Sequence, residues 1–241
     1  MKTVVVIPTY NERENVHTLV MSLRTFAPTV DILIVDDASP DGTGERADEL
    51  AREYRDHVFV LHRAKKSGLG SAYCDGFRVM RERQYDFFCE MDADGSHDPE
   101  ALPLLLRALE RGADVVIGSR RISGGKIIGW GIWRHVMSTL AMVISRAMLG
   151  IHTRDAPSGF RCYRAHVVEK MLGISFRSRG YAFQEEVLAY CEKWGYAIVE
   201  MPIVFRERRY GTSKLSWREA VDFLKVMWLV RRDLSGKMAQ R

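Results

Sequence analysis

The chain has 241 residues, with 36 lysines and arginines against 31 aspartates and glutamates and a formal net charge of +5. Hydrophobic residues make up 46% of the sequence and charged residues 28%, which is typical of a globular protein and excludes disordered and fibrous classes. The length suits one large domain with a buried core. The positive charge suits an anionic ligand or a membrane surface. The sequence has no basic stripe with interleaved aromatics, so nucleic-acid binding is not predicted.

Neither a membrane-spanning segment nor a cysteine-based metal site is predicted. The longest stretch without Asp, Glu, Lys or Arg is His135–Ser145, well short of the about 20 residues that a spanning helix needs. The four cysteines form no Cys-x-x-Cys pair, so we expect reduced, buried thiols and a cytoplasmic protein.

The first half of the sequence alternates short apolar strands with helices. Asn11 is predicted to cap the first helix, with Glu14 completing a capping box, and Asp98-Pro99 is predicted to open the fourth helix. This alternation predicts an α/β fold, a mostly parallel central sheet flanked by helices on both faces. The predicted strands are Thr3–Ile7, Asp31–Val35, Val58–Leu61, Phe87–Met91 and Val115–Ile117.

The second half is less regular. Trp130–Leu149 predicts an amphipathic helix whose apolar side either packs on the core or lies on a membrane. Further helices are predicted over Gln184–Lys193 and Trp217–Arg231, and a strand over Ile198–Phe205. Because no linker marks a boundary, we expect residues 1–241 to form a single domain.

Polar clusters follow several predicted strands. Ligands of open α/β sheets bind outside the carboxyl ends of the strands, so we expect these clusters to face one cleft. Carboxylates two residues apart, as in Asp92-Ala93-Asp94, suit a hard divalent cation, although a solvated acidic turn has the same pattern. Asp36-Asp37 is consistent with a plain turn or with a contact to a base or ribose. The other two clusters are Thr9-Tyr10-Asn11-Glu12 and Gly118-Ser119-Arg120.

Glycines and basic residues indicate a second feature, anion binding. Gly68-Leu69-Gly70 opens the third helix, where glycines permit close approach of a ligand to the helix N-terminus. Four basic residues would bind a phosphate if they surround the cleft and would be merely solvated if they are scattered: Arg120, Arg134, Arg208 and Lys214.

Eight short motifs occur in order along the chain: PTYNE (Pro8–Glu12), VDDASPDGT (Val35–Thr43), GLGSAY (Gly68–Tyr73), MDADGSHDP (Met91–Pro99), GSR (Gly118–Arg120), SGFRCYR (Ser158–Arg164), GYAFQEE (Gly180–Glu186) and RRYGTSKLS (Arg208–Ser216). Together they resemble the polyprenol-phosphate (dolichol-phosphate) mannose synthases, inverting enzymes of glycosyltransferase family 2 with the GT-A fold. The resemblance covers about residues 3–230. The sequence has none of the C-terminal membrane helices that some members carry, which is expected of a soluble type.

The resemblance implies roles for individual residues. Asp92 and Asp94 match the DxD motif, which holds a divalent cation, Mg²⁺ or Mn²⁺, against the donor diphosphate, and Ser96 is a third candidate ligand. Arg120 and Arg134 match residues that grip the acceptor phosphate. The implied catalytic residues are Asp94, Arg120, Arg208 and Lys214. The implied nucleotide-sugar contacts are Pro8, Tyr10, Glu12, Val35, Asp37, Asp92, Ala93 and Asp94.

Two segments depart from the family pattern. Gly95-Ser96 follows the DxD motif where some relatives have a metal-ligating side chain. Asp155-Ala156-Pro157 replaces the commoner threonine-containing lead into the SGFR motif, on the acceptor side.

The implied reaction transfers mannose from GDP-mannose to polyprenyl or dolichyl phosphate with inversion. The alternatives are transfer of glucose or another sugar from a UDP donor, and a non-catalytic subunit, which the intact DxD motif disfavours. A phosphate monoester has a second pKa near 6 and is largely ionised at neutral pH, so no strong base is required and Glu185 receives a supporting role.

The resemblance also suggests how the chain meets its lipid. We expect about residues 1–120 to form the nucleotide-sugar-binding half and about 121–232 the acceptor-side half, with its amphipathic helices. The expected location is the cytoplasmic face of a membrane, bound peripherally through a docking surface or through a membrane-anchoring partner subunit.

Overall fold

The computed structural model describes residues 1–178, 180, 182–207 and 217–236. Within these residues, nine strands and eight α-helices follow one another along the chain. They are β1 Thr3–Thr9, α1 Arg13–Phe26, β2 Asp31–Asp36, α2 Thr43–Glu53, β3 Val58–His62, α3 Leu69–Arg81, β4 Phe87–Glu90, α4 Leu102–Glu110 (after a 3₁₀ turn, Pro99–Ala101), β5 Val115–Ser119, β6 Lys126–Ile128, α5 Ile132–Leu149, β7 Arg161–Arg164, α6 Ala165–Leu172, α7 Phe183–Lys193, β8 Ile198–Pro202, β9 Val204–Arg206 and α8 Trp217–Gly236.

Seven strands form one sheet in the order β3-β2-β1-β4-β7-β5-β8. All neighbouring pairs are parallel except the two made by β7, which runs antiparallel to both β4 and β5. The mostly parallel sheet is thus confirmed, while the antiparallel strand β7 was not predicted. The strand order reverses between β1 and β4, which is the switch point where open α/β sheets bind ligands.

Apolar cores cover both faces of the sheet, as the alternation of strands and helices predicted. Along β1, Val4 and Val6 face one core, and Val5 and Ile7 face the other, because side chains alternate along a strand. Helices α1, α2 and α4 supply the second of these cores, while α3, α6, α7 and α8 supply the first. Strands from both halves of the chain join this single sheet.

The start of α1 differs from the prediction. Asn11 has a left-handed φ of 60° and its N–H donates to Ser39 Oγ at 3.1 Å, so the chain turns there and the helix begins at Arg13. The carbonyl of Glu12 accepts the first helical hydrogen bond, and the side chain of Glu12 itself makes no capping bond. At the fourth helical segment the prediction is confirmed, since Asp98 Oδ1 accepts from Glu100 N at 3.1 Å with Pro99 in the first position.

The predicted strand Ile198–Phe205 divides into β8 and β9. Its first part pairs with β5 in the main sheet, and its second part pairs with β6 in a separate two-stranded sheet. Ile203, between them, donates to Ser119 O at 3.0 Å, so the chain changes partner there. This change brings β9 against the loop after β4, where Arg206 N donates to Ser96 O at 3.1 Å.

Helix α5 exposes most of its apolar stripe and packs against α8. The alternative in which the apolar residues pack on the core is therefore wrong for most of α5. In the part of the chain that the structure covers, no helix is long and apolar enough to cross a membrane. The exposed fractions are 84% for Ile132, 78% for Trp133, 46% for Val136, 48% for Met137, 50% for Leu140 and 53% for Val143.

Candidate functional site

The polar clusters after β1, β2 and β4 meet at the switch point of the sheet. Thr9 and Asp36 lie side by side in the register of β1 and β2, and Thr9 Oγ1 donates to Asp36 Oδ1 at 3.1 Å. Asp37 N donates to Thr9 O at 3.0 Å, while Met91 N donates to Val6 O on the other side of β1 at 3.3 Å. The ends of β1, β2 and β4, which carry these clusters, are therefore adjacent in the sheet, as the strand pattern predicted.

The loop after β4 presents the two DxD carboxylates. Asp94 is buried and its Oδ1 accepts from Ser96 N at 3.0 Å, in a tight turn where Gly95 has a φ of +74°. Ser96 Oγ is buried and has no hydrogen-bond partner among the described residues. The side chain of Asp92 is 28% exposed. Two carboxylates and an unsatisfied hydroxyl form a hard oxygen donor set, which fits Mg²⁺ or Mn²⁺.

Two buried residues that the sequence analysis did not single out contact Asp92. Tyr73 donates from its hydroxyl to Asp92 Oδ1 at 3.2 Å, and His97 Nδ1 accepts from Asp92 N at 3.2 Å. Burial, partly offset by the nearby carboxylates Asp92 and Asp94, lowers the pKa of His97. A Cβ on Gly159 would lie 3.4 Å from Asp92 Oδ2.

The remaining predicted nucleotide-sugar residues divide into exposed and buried groups. Tyr10 is 37% exposed at the end of β1, with Lys66 Nζ 3.7 Å from its ring centroid. The carboxylate of Asp37 is buried and already pairs with Arg63 Nη1 at 2.5 Å. Glu12 and Pro8 lie half-buried at the same edge. The side chains of Val35 and Ala93 are buried in the two apolar cores.

Arg120, after β5, is held by a buried carboxylate. Asp155 accepts from Arg120 N at 2.7 Å, from Nε at 2.8 Å and from Nη2 at 2.6 Å. The side chain of Asp155 is 0% exposed and that of Arg120 is 7% exposed. Glu200 on β8 accepts from Asp155 N and Arg154 N at 3.0 Å each, which fixes this loop in turn.

Arg134, the other predicted phosphate ligand, lies in the first turn of α5. Its Nη1 donates to Glu207 Oε1 at 2.6 Å, and both side chains of this pair are substantially exposed. The guanidinium carbons of Arg134 and Arg120 lie 4.5 Å and 5.7 Å from the ring centroid of Trp130. The two arginines therefore meet at one indole, although 14 residues separate them in the sequence.

A second polar cluster lies buried behind the site. Arg161, in the SGFR motif, donates to the carbonyl oxygens of Ser158, Gln184 and Ala156, so it ties the loop before β7 to α7. Burial raises the pKa of Glu185 to about 7, and Glu185 Oε2 has no hydrogen-bond partner among the described residues.

The glycines at the start of α3 have structural roles, whereas the sequence predicted that they permit close approach of a ligand. Gly68 has a φ of +99°, a conformation that favours glycine. A Cβ on Gly70 would lie 2.4 Å from Phe183 Cδ2, so this glycine is needed for packing of α3 on α7. The predicted catalytic residues Arg208 and Lys214 lie outside the described residues.

Comparison with known proteins places the chain in a family. Residues 4–172 match Glycosyl transferase family 2. The chain is 46% identical to polyprenol monophosphomannose synthase of Mycolicibacterium smegmatis, over 97% of this chain and 89% of the relative. It is 48% identical to undecaprenyl-phosphate mannosyltransferase of Micrococcus luteus, over 90% of this chain and 88% of the relative.

Solved structures support the fold. Glucosyl-3-phosphoglycerate synthase of Mycobacterium tuberculosis superimposes with a TM-score of 0.71 at 18% identity, covering 98% of this chain and 80% of that chain. Another structure of that enzyme, with Mn²⁺, UDP-glucose and phosphoglyceric acid, has a TM-score of 0.69 at 20% identity and covers 95% of this chain and 79% of that chain. The chain therefore belongs to glycosyltransferase family 2, in the group of the polyprenol-phosphate mannose synthases.

Proposed function

We propose that this chain transfers mannose from GDP-mannose to a polyprenyl phosphate, with inversion, giving polyprenyl-phosphate mannose and GDP. The observation that carries the proposal is the identity of 46% and 48% to two proteins named as mannosyl transferases to polyprenyl carriers, over nearly their whole length. The carboxylate-lined switch point and the paired arginines are the geometry that such a reaction needs.

Asp92 and Asp94, with Ser96, would hold Mg²⁺ or Mn²⁺ in this function. A cation bound there would neutralise the donor diphosphate as it leaves. Pro8, Tyr10 and Glu12 lie at the same edge of the sheet, and Asp37 would accept a hydrogen bond from the base or ribose beside Arg63. Arg208 and Lys214 would close over the phosphates, a role that rests on the family pattern alone.

Arg120 and Arg134 would bind the acceptor phosphate beside Trp130. A phosphate oxygen attacks the anomeric carbon of mannose, the bond from that carbon to the diphosphate oxygen breaks, and GDP leaves with the bonding electrons. Because the phosphate monoester is largely ionised at neutral pH, the arginines orient the nucleophile and no side chain has to remove a proton. This arrangement supports a donor half over about 1–120 and an acceptor half over about 121–232.

One assay tests this function. The purified chain is offered labelled GDP-mannose or labelled UDP-glucose with polyprenyl phosphate, and labelled lipid is counted. We expect GDP-mannose alone to label the lipid, and excess chelator or Asp94→Ala to abolish labelling, since a catalytic cation contributes several kcal/mol. Asp98→Ala is the matched control, because Asp98 caps the next turn and should leave turnover intact. Labelling from UDP-glucose would refute the proposed donor, and full activity of Asp94→Ala would refute the proposed metal site.

We also propose that the exposed stripe of α5 docks on an anionic bilayer. Trp133 and its neighbours form a continuous apolar face beside Arg134, and the lipid acceptor must reach that arginine. The net charge of +5 favours an anionic surface. Trp228 on α8 is 56% exposed and would extend the same face, since α5 and α8 pack together. Arg146 instead donates to the carbonyls of Ile151 and His152 at the end of α5.

Vesicle binding tests the docking surface. Replacing Trp133 and Val136 with Ser should reduce both binding to phosphatidylglycerol vesicles and lipid mannosylation, with GDP-mannose affinity constant, and wild-type binding should weaken with salt. Replacing Met21 and Phe26 with Ser is the control, because these residues are comparably exposed on α1, away from the arginines. Absence of wild-type vesicle binding would assign the stripe to a membrane-anchoring protein partner and overturn direct docking.

A further inference from the structure

Asp92 is contacted by a tyrosine that lies entirely within the core. Tyr73 on α3 is 0% exposed, and its ring lies parallel to that of Phe183 with centroids 6.4 Å apart. Its hydroxyl donates to Asp92 Oδ1 at 3.2 Å. A buried tyrosine hydroxyl needs a hydrogen-bond partner, and here the partner is one oxygen of a carboxylate whose other oxygen, Oδ2, lies 3.9 Å from His97 Nε2.

A histidine holds the same residue through its backbone. His97 Nδ1 accepts from Asp92 N at 3.2 Å, which places the ring proton on Nε2. The ring stacks on Phe160 with centroids 5.3 Å apart, and it packs edge-to-face with Phe205, with centroids 5.8 Å apart. His97 is 2% exposed, so its position is set by packing.

The two DxD carboxylates differ in how they are held. Asp94 is 5% exposed and its Oδ1 is bonded by Ser96 N within its own turn. Asp92 is more exposed and takes its hydrogen bonds from residues distant in sequence or across the loop. Without these bonds its carboxylate would be free to rotate, and a cation would have to order it on binding.

We propose that Tyr73 and His97 are positioning residues that orient Asp92 for the divalent cation, Tyr73 through the carboxylate and His97 through the backbone. This inference rests on the metal site proposed above. Groups that hydrogen-bond to metal ligands typically contribute 10–100-fold to metal affinity. Neither residue touches substrate in this role, so their effect should be on cation affinity first.

Calorimetric titration of Mn²⁺ into the chain with saturating GDP measures that affinity directly. We expect Tyr73→Phe to raise the Kd for Mn²⁺ by about 10–100-fold. Tyr85→Phe is the matched control, because Tyr85 is also buried in the same core, at 3% exposed, and donates at 2.6 Å to another carboxylate, Asp31 Oδ2, rather than to Asp92. The control should lose similar thermal stability and keep the wild-type Kd.

His97 is tested with two side chains of the same branching. His97→Asn keeps an acceptor that can reach Asp92 N, whereas His97→Leu offers none. We expect His97→Leu to weaken Mn²⁺ binding by at least 10-fold. His97→Asn should retain part of that affinity, although both variants lose the imidazole ring. Excess Mn²⁺ should recover turnover in both.

The outcomes separate the positioning role from the metal site itself. If Asp92→Ala and Asp94→Ala bind Mn²⁺ as tightly as wild type, the metal site is wrong and this inference falls with it. If those variants lose Mn²⁺ while Tyr73→Phe and His97→Leu keep the wild-type Kd, the metal site stands and the positioning role is overturned.

Discussion

Removing the charge of Asp155 should destabilise the protein more than the loss of an exposed ion pair would. In Asp155→Asn the side chain keeps its shape, but its amide nitrogen would face guanidinium donors of Arg120. Arg120 would then lose the charge that accepts three of its hydrogen bonds, with its side chain 7% exposed. Breaking a buried pair in this way costs about 3–5 kcal/mol, because one charge stays buried without compensation.

Thermal unfolding measures this cost. For a chain of this length about 1 kcal/mol corresponds to roughly 2–4 °C, so Asp155→Asn should lower the Tm by about 6–20 °C. Glu207→Gln is the control, since the Arg134–Glu207 pair is exposed and such pairs contribute about 0–1 kcal/mol. If both variants unfold within a few degrees of wild type, Arg120 does not depend on Asp155 and the reasoning is refuted.

Two further predictions concern the acceptor and the buried acid. Arg134→Ala should cost about 2–5 kcal/mol in kcat/KM for polyprenyl phosphate and leave GDP-mannose binding unchanged; an unchanged lipid KM and turnover would remove Arg134 from the acceptor site. Burial raises the pKa of Glu185 to about 7, so its stabilising contribution is present below about pH 4.5 and is lost as pH rises to 7. Glu185→Gln should therefore gain up to about 3 kcal/mol over wild type between pH 5 and 8 in urea unfolding, and an equal difference at both pH values would contradict this.

The sequence predicted the sheet and the convergence of the strand ends because both follow from local patterns. Apolar runs such as Ile32–Val35 form fully buried strands, and parallel strands place their carboxyl ends at one edge. This rule places the DxD loop and Tyr10, which follow β4 and β1, at one edge of the sheet. The positions of the residues proposed to bind the donor are thus predictable without long-range information.

The acceptor side depends on pairs that no local pattern reveals. The run Arg161–Arg164 is too short and too polar to predict a strand. It joins the sheet as β7, between β4 and β5 and antiparallel to both. Asp155 belongs to a segment that the sequence shows only as a departure from the family. Its role depends on Arg120 and Glu200, which lie 35 and 45 residues away. The contact of Tyr73 with Asp92 could not be predicted for the same reason, because the sequence shows Tyr73 only as one aromatic residue on a helix.

The two arginines at Trp130 differ in what a phosphate must displace, and that difference suits a lipid acceptor. Folding fixes Arg120 against Asp155, so its orientation is set before any ligand arrives. Arg134 can exchange the exposed Glu207 for a phosphate at a cost of at most about 1 kcal/mol. It also lies next to Trp133, in the helix proposed to rest on the bilayer. A phosphate headgroup would thus bind first to Arg134, near the membrane surface. It would then be oriented by Arg120, whose position is fixed by the fold.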